Sequence, residues 1–344
     1  MPRTPNETGP ASSANAPKKA AKSAKKTADV RAGRVAIVGR PNVGKSTLLN
    51  ALVGQRLAIT TPKPGTTRTV LLGVHDGTDD EGRRTQIAFL DTPGLESPRS
   101  VLGRVLVEEA QGALDGVDAI ALMVDATDVA RAGDLAPADQ RVLALLGEAN
   151  KPVVLVLNKV DRVKDKGKLL PALEKLATTK PGQKTRFTAL VPISASRGTG
   201  VSGLVSELRG HLGAVVDGVG LLYEDDSLTD RPERFFVAEL VREAILGATR
   251  EEVPYGTAVL VDEWVEEGRM VRVGVTIVVE KDSHKGILIG ARGSKLKEIG
   301  EAARIAMESF LERKVFLRTF VKVVPGWTKD AEKVRRLVRD GSLP

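Results

Sequence analysis

The chain carries a glycine-rich segment whose residue types suit phosphate binding. Residues 39 to 46 read G-R-P-N-V-G-K-S and fit the pattern G-x-x-x-x-G-K-[ST]. Glycines let backbone N–H groups converge on phosphate oxygens, the Lys45 ammonium can balance phosphate charge, and the Ser46 hydroxyl can ligate magnesium. A glycine turn that only caps a helix gives the same pattern, so this segment needs support from its surroundings.

A second segment, D-T-P-G at 91 to 94, suits the metal and the terminal phosphate. Asp91 can hold magnesium through a water molecule, and the N–H of Gly94 can meet the γ-phosphate. Taken alone, this tetrapeptide is an ordinary turn. Between the two segments a loop reads P-G-T-T-R, and one of its threonine hydroxyls can close over magnesium when a triphosphate is bound. We favour Thr67 over Thr66.

A third segment, N-K-V-D at 158 to 161, suits a purine base. The Asp161 carboxylate can accept hydrogen bonds from the ring N–H and the exocyclic amine of guanine, a pair that adenine does not offer, so it selects GTP over ATP. Asn158 would brace the loop, Lys159 can lie along the base, and Ser194-Ala195 can present an N–H to the guanine oxygen. Each motif alone can occur by chance, but chance does not explain the order of the motifs and their positions at strand ends.

The elements around these motifs predict an α/β fold. Short apolar runs indicate strands that are buried on both faces, and they lie at 35–38, 87–90, 119–124 and 153–157. Helical stretches separate most of them, at 46–53, 101–114 and 138–149, as in a mostly parallel sheet with helices on both faces. The polar segment 76–84 predicts a hairpin between 69–75 and 85–90, which adds one antiparallel edge.

A second unit follows a glycine-rich stretch. Its pattern predicts a helix at 235–246, strands at 257–263 and 270–280, and a helix-turn-helix around 290–293. A long helix over 294–312 and a final strand at 315–324 follow. The predicted boundaries are a disordered basic arm at 1–31, a first domain at 32–213, a linker at 214–230, a second domain at 231–330 and a basic tail at 331–344. A transit peptide is the alternative for the arm.

Composition excludes several kinds of site. The 344 residues include no cysteine and three histidines, which excludes a disulfide, a thiolate nucleophile and a cysteine-ligated zinc site. No run approaches the roughly 18 apolar residues of a membrane-spanning helix. The net charge of +8 is concentrated at the two ends of the chain. That distribution suggests a polyanionic partner, although a solvated basic surface would explain it equally well.

On these motifs, residues 34 to about 212 resemble the GTPase domain of the translation-factor type. The resemblance implies that GTP or GDP and Mg²⁺ are bound, with Ser46, Thr67 and Asp91 at the metal. It implies catalytic roles for Asn42, Lys45, Thr67 and Gly94. The residues implied to hold the nucleotide are Gly39, Arg40, Pro41, Asn42, Val43, Gly44, Lys45, Ser46, Thr47, Asp91, Thr92, Pro93, Gly94, Asn158, Lys159, Asp161, Ser194 and Ala195.

Hydrolysis cannot use a side chain after Gly94 to orient water, because Leu95 stands where Ras-like proteins have glutamine. In related GTPases an asparagine at the Asn42 position helps to bind a potassium ion that takes the part of an arginine finger. The resemblance implies the same potassium ion here. The alternative is that Asn42 only shapes the loop.

The second unit contains the string K-G-I-L-I-G-A-R-G-S-K-L-K at 285–297. Its G-x-x-G turn lets a backbone approach a nucleic-acid strand, with basic side chains for the phosphates. A helix C-cap followed by a new N-cap also explains a bare G-x-x-G. The element order resembles a type II KH domain, a smaller α+β fold. That resemblance implies RNA contacts from Lys285, Ile289, Gly290, Ala291, Arg292, Gly293, Lys295 and Lys297.

A GTPase domain followed by a KH domain resembles the family of GTPases that assemble the small ribosomal subunit, over roughly 34–330. The family implies binding of the 3′ end of small-subunit ribosomal RNA in the GTP state, a cytoplasmic location with peripheral contact at the inner face of the cell membrane, and a monomer. The chain departs from the family at its long arm, at Glu96 and at Ser196. Alternatively, it is an RNA-binding assembly protein in which GTP is mainly a structural ligand. A tandem-GTPase assembly factor is disfavoured because no second phosphate-binding motif occurs.

Overall fold

The computed structural model describes residues 30–61, 63, 65–95, 98, 100–146, 151–178, 187–214, 221–250 and 253–342. Nearly all of the predicted arm, the departure at Glu96 and residues 215–220 of the predicted linker lie outside these ranges.

The first half of the chain forms a mostly parallel sheet. Its strands are β1 (Arg31–Val38), β2 (Leu71–Thr78), β3 (Arg84–Asp91), β4 (Ala119–Asp125), β5 (Val153–Asn158), β6 (Ala189–Pro192) and β7 (Gly213–Ala214). The order is β2-β3-β1-β4-β5-β6, and β7 pairs with β1. The predicted hairpin is the antiparallel pair β2 and β3, and the pairs from β3 through β6 are parallel. The predicted α/β sheet is confirmed.

Helices cover both faces of this sheet. They are α1 (Lys45–Val53), α2 (Val101–Gly112), α3 (Ala126–Ala132), α4 (Pro137–Leu146), α5 (Leu169–Ala177) and α6 (Val201–Arg209). Leu48 of α1 and Leu204 of α6 enter the core on one face, while α2 to α5 supply the core on the other. Since β1 is buried on both faces, Val35 to Val38 are all apolar, and the carboxyl ends of the parallel strands meet at one edge.

The second half of the chain has the type II KH arrangement. Its elements are α7 (Glu233–Ala248), β8 (Thr257–Glu267), β9 (Met270–Val279), α8 (Asp282–Ile289), α9 (Ser294–Leu311) and β10 (Lys314–Val323). The strand β9 lies between an antiparallel β8 and a parallel β10. All three helices contribute to the core on one face of this sheet, through side chains such as Val241, Leu288 and Met307.

The last described residues differ from the basic tail that composition suggested. They form α10 (Ala331–Arg335), which continues helically to Asp340. Val334 and Leu337 are buried beside Val105 of α2 and Leu260 of β8. In the sequence, the many surrounding Lys and Arg residues make these two apolar positions hard to recognise. They are three residues apart and therefore lie on one helical face. The C-terminal helix thus joins the two halves of the molecule.

Trp327 lies in the same cluster and packs against its members. Its side chain is fully buried, and its indole N–H donates to the carbonyl of Gly256 at 3.2 Å. Replacing Trp327 by alanine is expected to lower the free energy of unfolding by about 3–5 kcal/mol, because a large cavity and an unpaired carbonyl remain. Urea denaturation of the full chain, followed by fluorescence of the remaining Trp264, measures this loss.

Leu170→Ala is the matched control for Trp327→Ala, because that leucine is 64% exposed. We expect it to change the free energy of unfolding by less than about 0.5 kcal/mol. A loss below about 1 kcal/mol for Trp327→Ala would show that the C-terminal cluster contributes little to stability.

Candidate functional site

The glycine-rich loop joins the end of β1 to the start of α1 and has a backbone that only certain residues allow. Gly44 precedes α1 with φ 106°, and Asn42 also adopts a positive φ of 64°. A Cβ at Gly44 would lie 2.3 Å from Nδ2 of Asn158, so a larger residue cannot stand there. The N–H groups at the start of α1 have no side-chain cap, which leaves them free to bind an anion.

Two opposite charges are buried beside this loop, on Lys45 at the start of α1 and on Asp91 at the end of β3. The ammonium group of Lys45 donates to the carbonyls of Gly39 and Arg40, each at 3.1 Å. Burial lowers the pKa of Lys45 to about 8, against the opposing effect of Asp91. Burial raises the pKa of Asp91 to about 6, while Lys45 and the hydroxyls of Ser46 and Thr67 oppose the rise. Both groups are therefore charged at neutral pH, where bound phosphate and a cation would compensate them.

The three predicted metal ligands come together from three different segments. The Ser46 hydroxyl donates to Oδ2 of Asp91 at 2.7 Å and lies 2.9 Å from Oγ1 of Thr67. The other carboxylate oxygen of Asp91 is buried without a hydrogen-bond partner. This set of oxygen atoms, one of them charged and unpaired, fits a Mg²⁺ ion and its water ligands.

The structure also separates the two adjacent threonines of the loop. Oγ1 of Thr66 donates to the carbonyl of Lys63 at 2.7 Å and lies 2.9 Å from Oγ1 of Thr61. Thr66 therefore points away from Asp91, whereas Thr67 points toward it. The role of Thr67 at a metal stays a prediction, and the structure places its hydroxyl 2.9 Å from that of Ser46.

The D-T-P-G segment is held against the glycine-rich loop. The Thr92 hydroxyl donates to the carbonyl of Ile37 at 2.9 Å, and the N–H of Leu95 donates to the carbonyl of Gly39 at 3.1 Å. A Cβ at Gly94 would lie 2.7 Å from the Pro41 ring, so glycine is required there. Leu95 is itself buried in the core, and its side chain cannot orient a water molecule at the site.

The N-K-V-D segment lies beside the same loop and is braced by Asn158. The amide of Asn158 donates to the carbonyl of Val43 at 2.8 Å and accepts from the N–H of Ala195 at 2.9 Å. Lys159 donates to the carbonyl of Asn42 at 2.7 Å and to Asp125 at 2.8 Å. These bonds fix the relative positions of the glycine-rich loop, N-K-V-D and Ser194-Ala195.

Asp161 is an ionised carboxylate with one unpaired oxygen atom. A hydrogen bond from the Ser194 hydroxyl holds the pKa of Asp161 below its ordinary value, so the carboxylate is ionised. Its Oδ1 atom is buried and has no hydrogen-bond partner. An ionised carboxylate with an unpaired oxygen can accept the N–H groups of a guanine edge.

Sequence reasoning missed the groups that hold Arg40. Its guanidinium pairs with Asp128 and donates to Asp139 at 3.0 Å. Asp139 is buried, which raises its pKa, while Arg40 opposes that rise. These carboxylates come from α3 and α4, roughly 90 to 100 residues later in the chain, and no local spacing connects them to the loop.

A cavity of about 400 Å³ lies over the glycine-rich loop, and neither Asp91 nor Asp161 is among the residues that line it. Pro41, Lys45, Ser46, Thr67 and Gly94 line it, together with Lys159 from the base-binding side. Such a volume is in the range of sites that bind small ligands. The arrangement offers backbone N–H groups and an ammonium for phosphates, oxygen ligands for a divalent cation, and an acceptor for guanine.

The predicted RNA-binding string has the backbone of a G-x-x-G loop. It joins α8 to α9, with Gly290 at φ 71°, Arg292 at φ 53° and Gly293 at φ 80°. A Cβ at Gly290 would lie 2.6 Å from the Cβ of Lys295, so this turn requires glycine. Ala291, Arg292 and Lys297 are exposed on one side of the loop. Lys285, Ile289 and Lys295 are half-buried beside it, and Lys295 pairs with Glu298 at 2.8 Å.

Among the residues that the structure describes, none of the helices combines the length and the apolar character that a membrane crossing requires.

Two family models match the two halves of the chain. Residues 34–159 match the model described as "50S ribosome-binding GTPase", and residues 252–328 match the model described as "KH domain". These matches agree with the two folds described above.

Full-length relatives share both halves. GTPase Era of Geobacter metallireducens is 43% identical over 311 residues, which cover 89% of this chain and 97% of that protein. GTPase Era of Xanthomonas campestris is 42% identical over 305 residues, covering 88% of this chain and 96% of that protein.

Solved structures give the same result. Aquifex aeolicus Era bound to GDP·AlF₄⁻ matches with a TM-score of 0.80 at 39% identity, covering 89% of this chain and 98% of that one. A structure of Era with MgGDPNP and nucleotides 1506–1542 of 16S ribosomal RNA matches with a TM-score of 0.80, also at 39% identity, covering 90% and 98%. The family resemblance inferred from the sequence is confirmed. This chain is a GTPase that uses GTP, GDP and Mg²⁺, and it belongs to the Era family.

Proposed function

We propose that this chain is a GTP-operated switch that binds the 3′ end of small-subunit ribosomal RNA and acts in assembly of the small ribosomal subunit. The RNA partner is that of the related Era complex, and the exposed G-x-x-G loop supports it. The observation that carries the switch is that the loop containing Thr67 is bonded directly to the KH half.

In this proposal the GTPase domain spans 32–213, the linker 214–230 and the KH domain 231–330. The protein acts as a monomer in the cytoplasm, and the basic arm at 1–31 adds affinity for RNA or for the inner face of the membrane. Contacts to RNA come from Lys285, Ile289, Gly290, Ala291, Arg292, Gly293, Lys295 and Lys297.

The geometry of the site supports a set of roles for the nucleotide-binding residues. Lys45 and the N–H groups at the start of α1 hold the phosphates, and the Gly94 N–H meets the γ-phosphate. Ser46, Thr67 and Asp91 hold Mg²⁺, which supplies positive charge beside the phosphates when it is bound. Asp161 accepts from guanine. Since Leu95 is buried, hydrolysis depends on charge compensation near Asn42 rather than on a side chain that orients water.

Arg68, the residue after Thr67, reaches into the KH half. Its guanidinium donates to the carbonyls of Thr257 at 2.5 Å, Pro254 at 3.1 Å and Tyr255 at 2.9 Å. The Arg68 side chain is buried, so losing these three acceptors would leave its charged N–H groups unpaired. A movement of Thr67 cannot leave Arg68 in place without strain.

Contacts in the opposite direction reinforce this link. Arg242 of α7 donates to the carbonyl of Thr66, and Lys63 donates to the carbonyls of Leu246 and Thr249. Lys63 and Thr66 are therefore bonded to the C-terminal half of α7 and the residue that follows it, and Arg68 is bonded to residues 254–257. The position of the loop from 63 to 68 depends on the γ-phosphate through Thr67, so nucleotide state and KH position are coupled, and the coupling is reciprocal.

The coupling predicts that GTP-loaded protein binds the ribosomal RNA 3′ end roughly 5- to 150-fold tighter than GDP-loaded protein, the usual range for such coupling. Arg68→Met keeps most of the packing but removes the hydrogen bonds to the KH half. We expect it to bring the ratio of the two affinities close to one while GTP affinity stays within about twofold. Fluorescence anisotropy of a labelled RNA fragment measures the RNA affinity of the GTP-loaded and of the GDP-loaded protein.

Arg131→Met is the control for Arg68→Met, because Arg131 is 79% exposed and pairs with Asp128 of its own helix, α3. It should leave the GTP-to-GDP ratio unchanged. A wild-type ratio of one, together with a hydrolysis rate that RNA does not alter, would favour the alternative in which GTP is a structural ligand of an RNA-binding assembly protein.

Asp161→Asn tests base selection. The amide cannot accept both guanine N–H groups, so GTP affinity is expected to fall by about 100-fold, as two charge-assisted hydrogen bonds are lost. Xanthosine triphosphate offers an oxygen in place of the exocyclic amine, so its affinity should rise. Equilibrium titration with both nucleotides measures the change, and equal losses for both would contradict the assigned role.

The potassium hypothesis concerns Asn42. GTP turnover in potassium should exceed turnover in sodium by roughly tenfold or more, because an arginine finger in the same role accelerates hydrolysis by about 10³ to 10⁵. Asn42→Ala should remove that difference without abolishing GTP binding. Single-turnover phosphate release in the two salts measures it. Equal rates in both salts, with the variant also unchanged, would leave Asn42 a loop-shaping role only.

A further inference from the structure

A second cavity lies on the far side of the loop that contains Thr67. It has a volume of about 410 Å³ and is bounded by that loop, the start of α7, the first half of β8 and the C-terminal segment 337–341. Among the lining residues whose side chains the structure describes, five are arginines and one, Glu239, is a carboxylate. The arginines are Arg68, Arg231, Arg234, Arg242 and Arg339.

Arg242 is the deepest of these side chains and is only partly satisfied. It is 3% exposed. Its Nε and Nη2 atoms donate to Glu239, and Nη2 also donates to the carbonyl of Thr66. Its Nη1 atom is buried and has no hydrogen-bond partner. A buried cationic N–H without an acceptor is costly, so an anion that turned this group of Arg242 toward the cavity would relieve that cost.

Neighbouring groups add further positive charge without enough compensation. Nε of Arg231 is also buried without a hydrogen bond, and the nearest carboxylate, that of Asp230, lies 3.9 Å away. Burial and the charge of Arg242 together lower the pKa of Arg68 to about 9, while Glu239 opposes this. Arg234 lies over the ring of Trp264, which is not an anionic partner. The cavity wall is therefore positive overall.

The first turn of α7 faces the same cavity through Pro232, Arg234 and Phe235. This helix has 16 residues, and its N-cap residue, Pro232, provides no side-chain hydrogen bond to the first turn. The helix N-terminus therefore adds the positive end of a dipole to the arginine wall, although the Phe235 N–H already donates to the carbonyl of Pro232 at 3.0 Å and Glu233 lies in the first turn.

We propose that this cavity is a second anion site, which binds a phosphate group held by Arg231, Arg234 and Arg242 at the start of α7. Guanidinium groups suit phosphate because each can donate two parallel hydrogen bonds. The cavity is larger than one phosphate ion requires, so it takes a small phosphate ester. An RNA backbone phosphate is the other source of the same chemistry.

Binding at this site acts on the loop that contains Thr67. Arg242 already donates to the carbonyl of Thr66, and Arg68 forms part of the cavity wall. A phosphate that engages Nη1 would hold Arg242, and with it this loop, against the KH half. The anion site itself does not depend on the proposed RNA function, because it rests on the cavity and its charges alone.

The test uses the full chain saturated with GDP and Mg²⁺, so that the glycine-rich loop is occupied. Inorganic phosphate and ribose 5-phosphate are titrated by calorimetry, and one saturable site is expected, with the ester binding more tightly. Arg234→Met and Arg242→Met should each weaken binding by about tenfold or more, as a charge-assisted hydrogen bond is lost. Arg234 makes no hydrogen bond to the loop within the described residues, so its variant is expected to fold normally.

Glu239→Gln supplies a change of opposite sign. It removes the carboxylate that faces the anion, so phosphate affinity should rise severalfold, a result that damage to the fold cannot produce. Arg304→Met, on α9 and outside the cavity wall, is the charge-matched control and should leave affinity unchanged. Absence of saturable binding, or an equal loss in Arg304→Met, would overturn the proposal.

A short ribosomal RNA fragment distinguishes the two sources of phosphate. If it displaces ribose 5-phosphate from wild-type protein, and Arg234→Met weakens that displacement, the natural occupant is an RNA phosphate. If RNA and ribose 5-phosphate bind together without competition, the occupant is a small phosphate ester.

Discussion

The nucleotide site depends on one buried amide. Asn158 spans the gap between the glycine-rich loop and the Ser194-Ala195 turn, with one hydrogen bond to each. Because that amide fills the space beside Gly44, the loop cannot carry a side chain there, and its N–H groups remain available to phosphate. Phosphate binding and base selection thus share a single brace at the carboxyl edge of the sheet, where β1 and β5 end on either side of β4.

Most of the first fold and the nucleotide motifs could be predicted because their signals are local. Apolar runs such as 35–38 and 153–157 identify buried strands without reference to any partner, and a parallel order places their ends at one edge. Glycines at 39, 44 and 290 reflect backbone constraints that the sequence expresses directly. The orientation of the two adjacent threonines is harder to predict, since only the conformation of the loop shows that Thr67 rather than Thr66 faces Asp91.

The links between the two halves could not be predicted in the same way. Arg68 and Lys63 donate to backbone carbonyls, which every residue possesses, so no partner side chain marks the pairing in the sequence. Arg242 is one arginine among the many charged residues of a basic protein, and its burial follows only from the docking of α7. The C-terminal helix was obscured for a related reason: Val334 and Leu337 are few, and the surrounding Lys and Arg residues dominate the composition.

The C-terminal helix has a geometric consequence for any rearrangement. It ties α2 to the KH sheet through Val105 and Val334, while Arg68 ties the threonine loop to the carbonyls before β8. Two anchors at different places on one boundary forbid free rotation about either of them. The halves must therefore slide past each other or break one anchor first, so the energy barrier between conformations is set by whichever anchor gives way more easily.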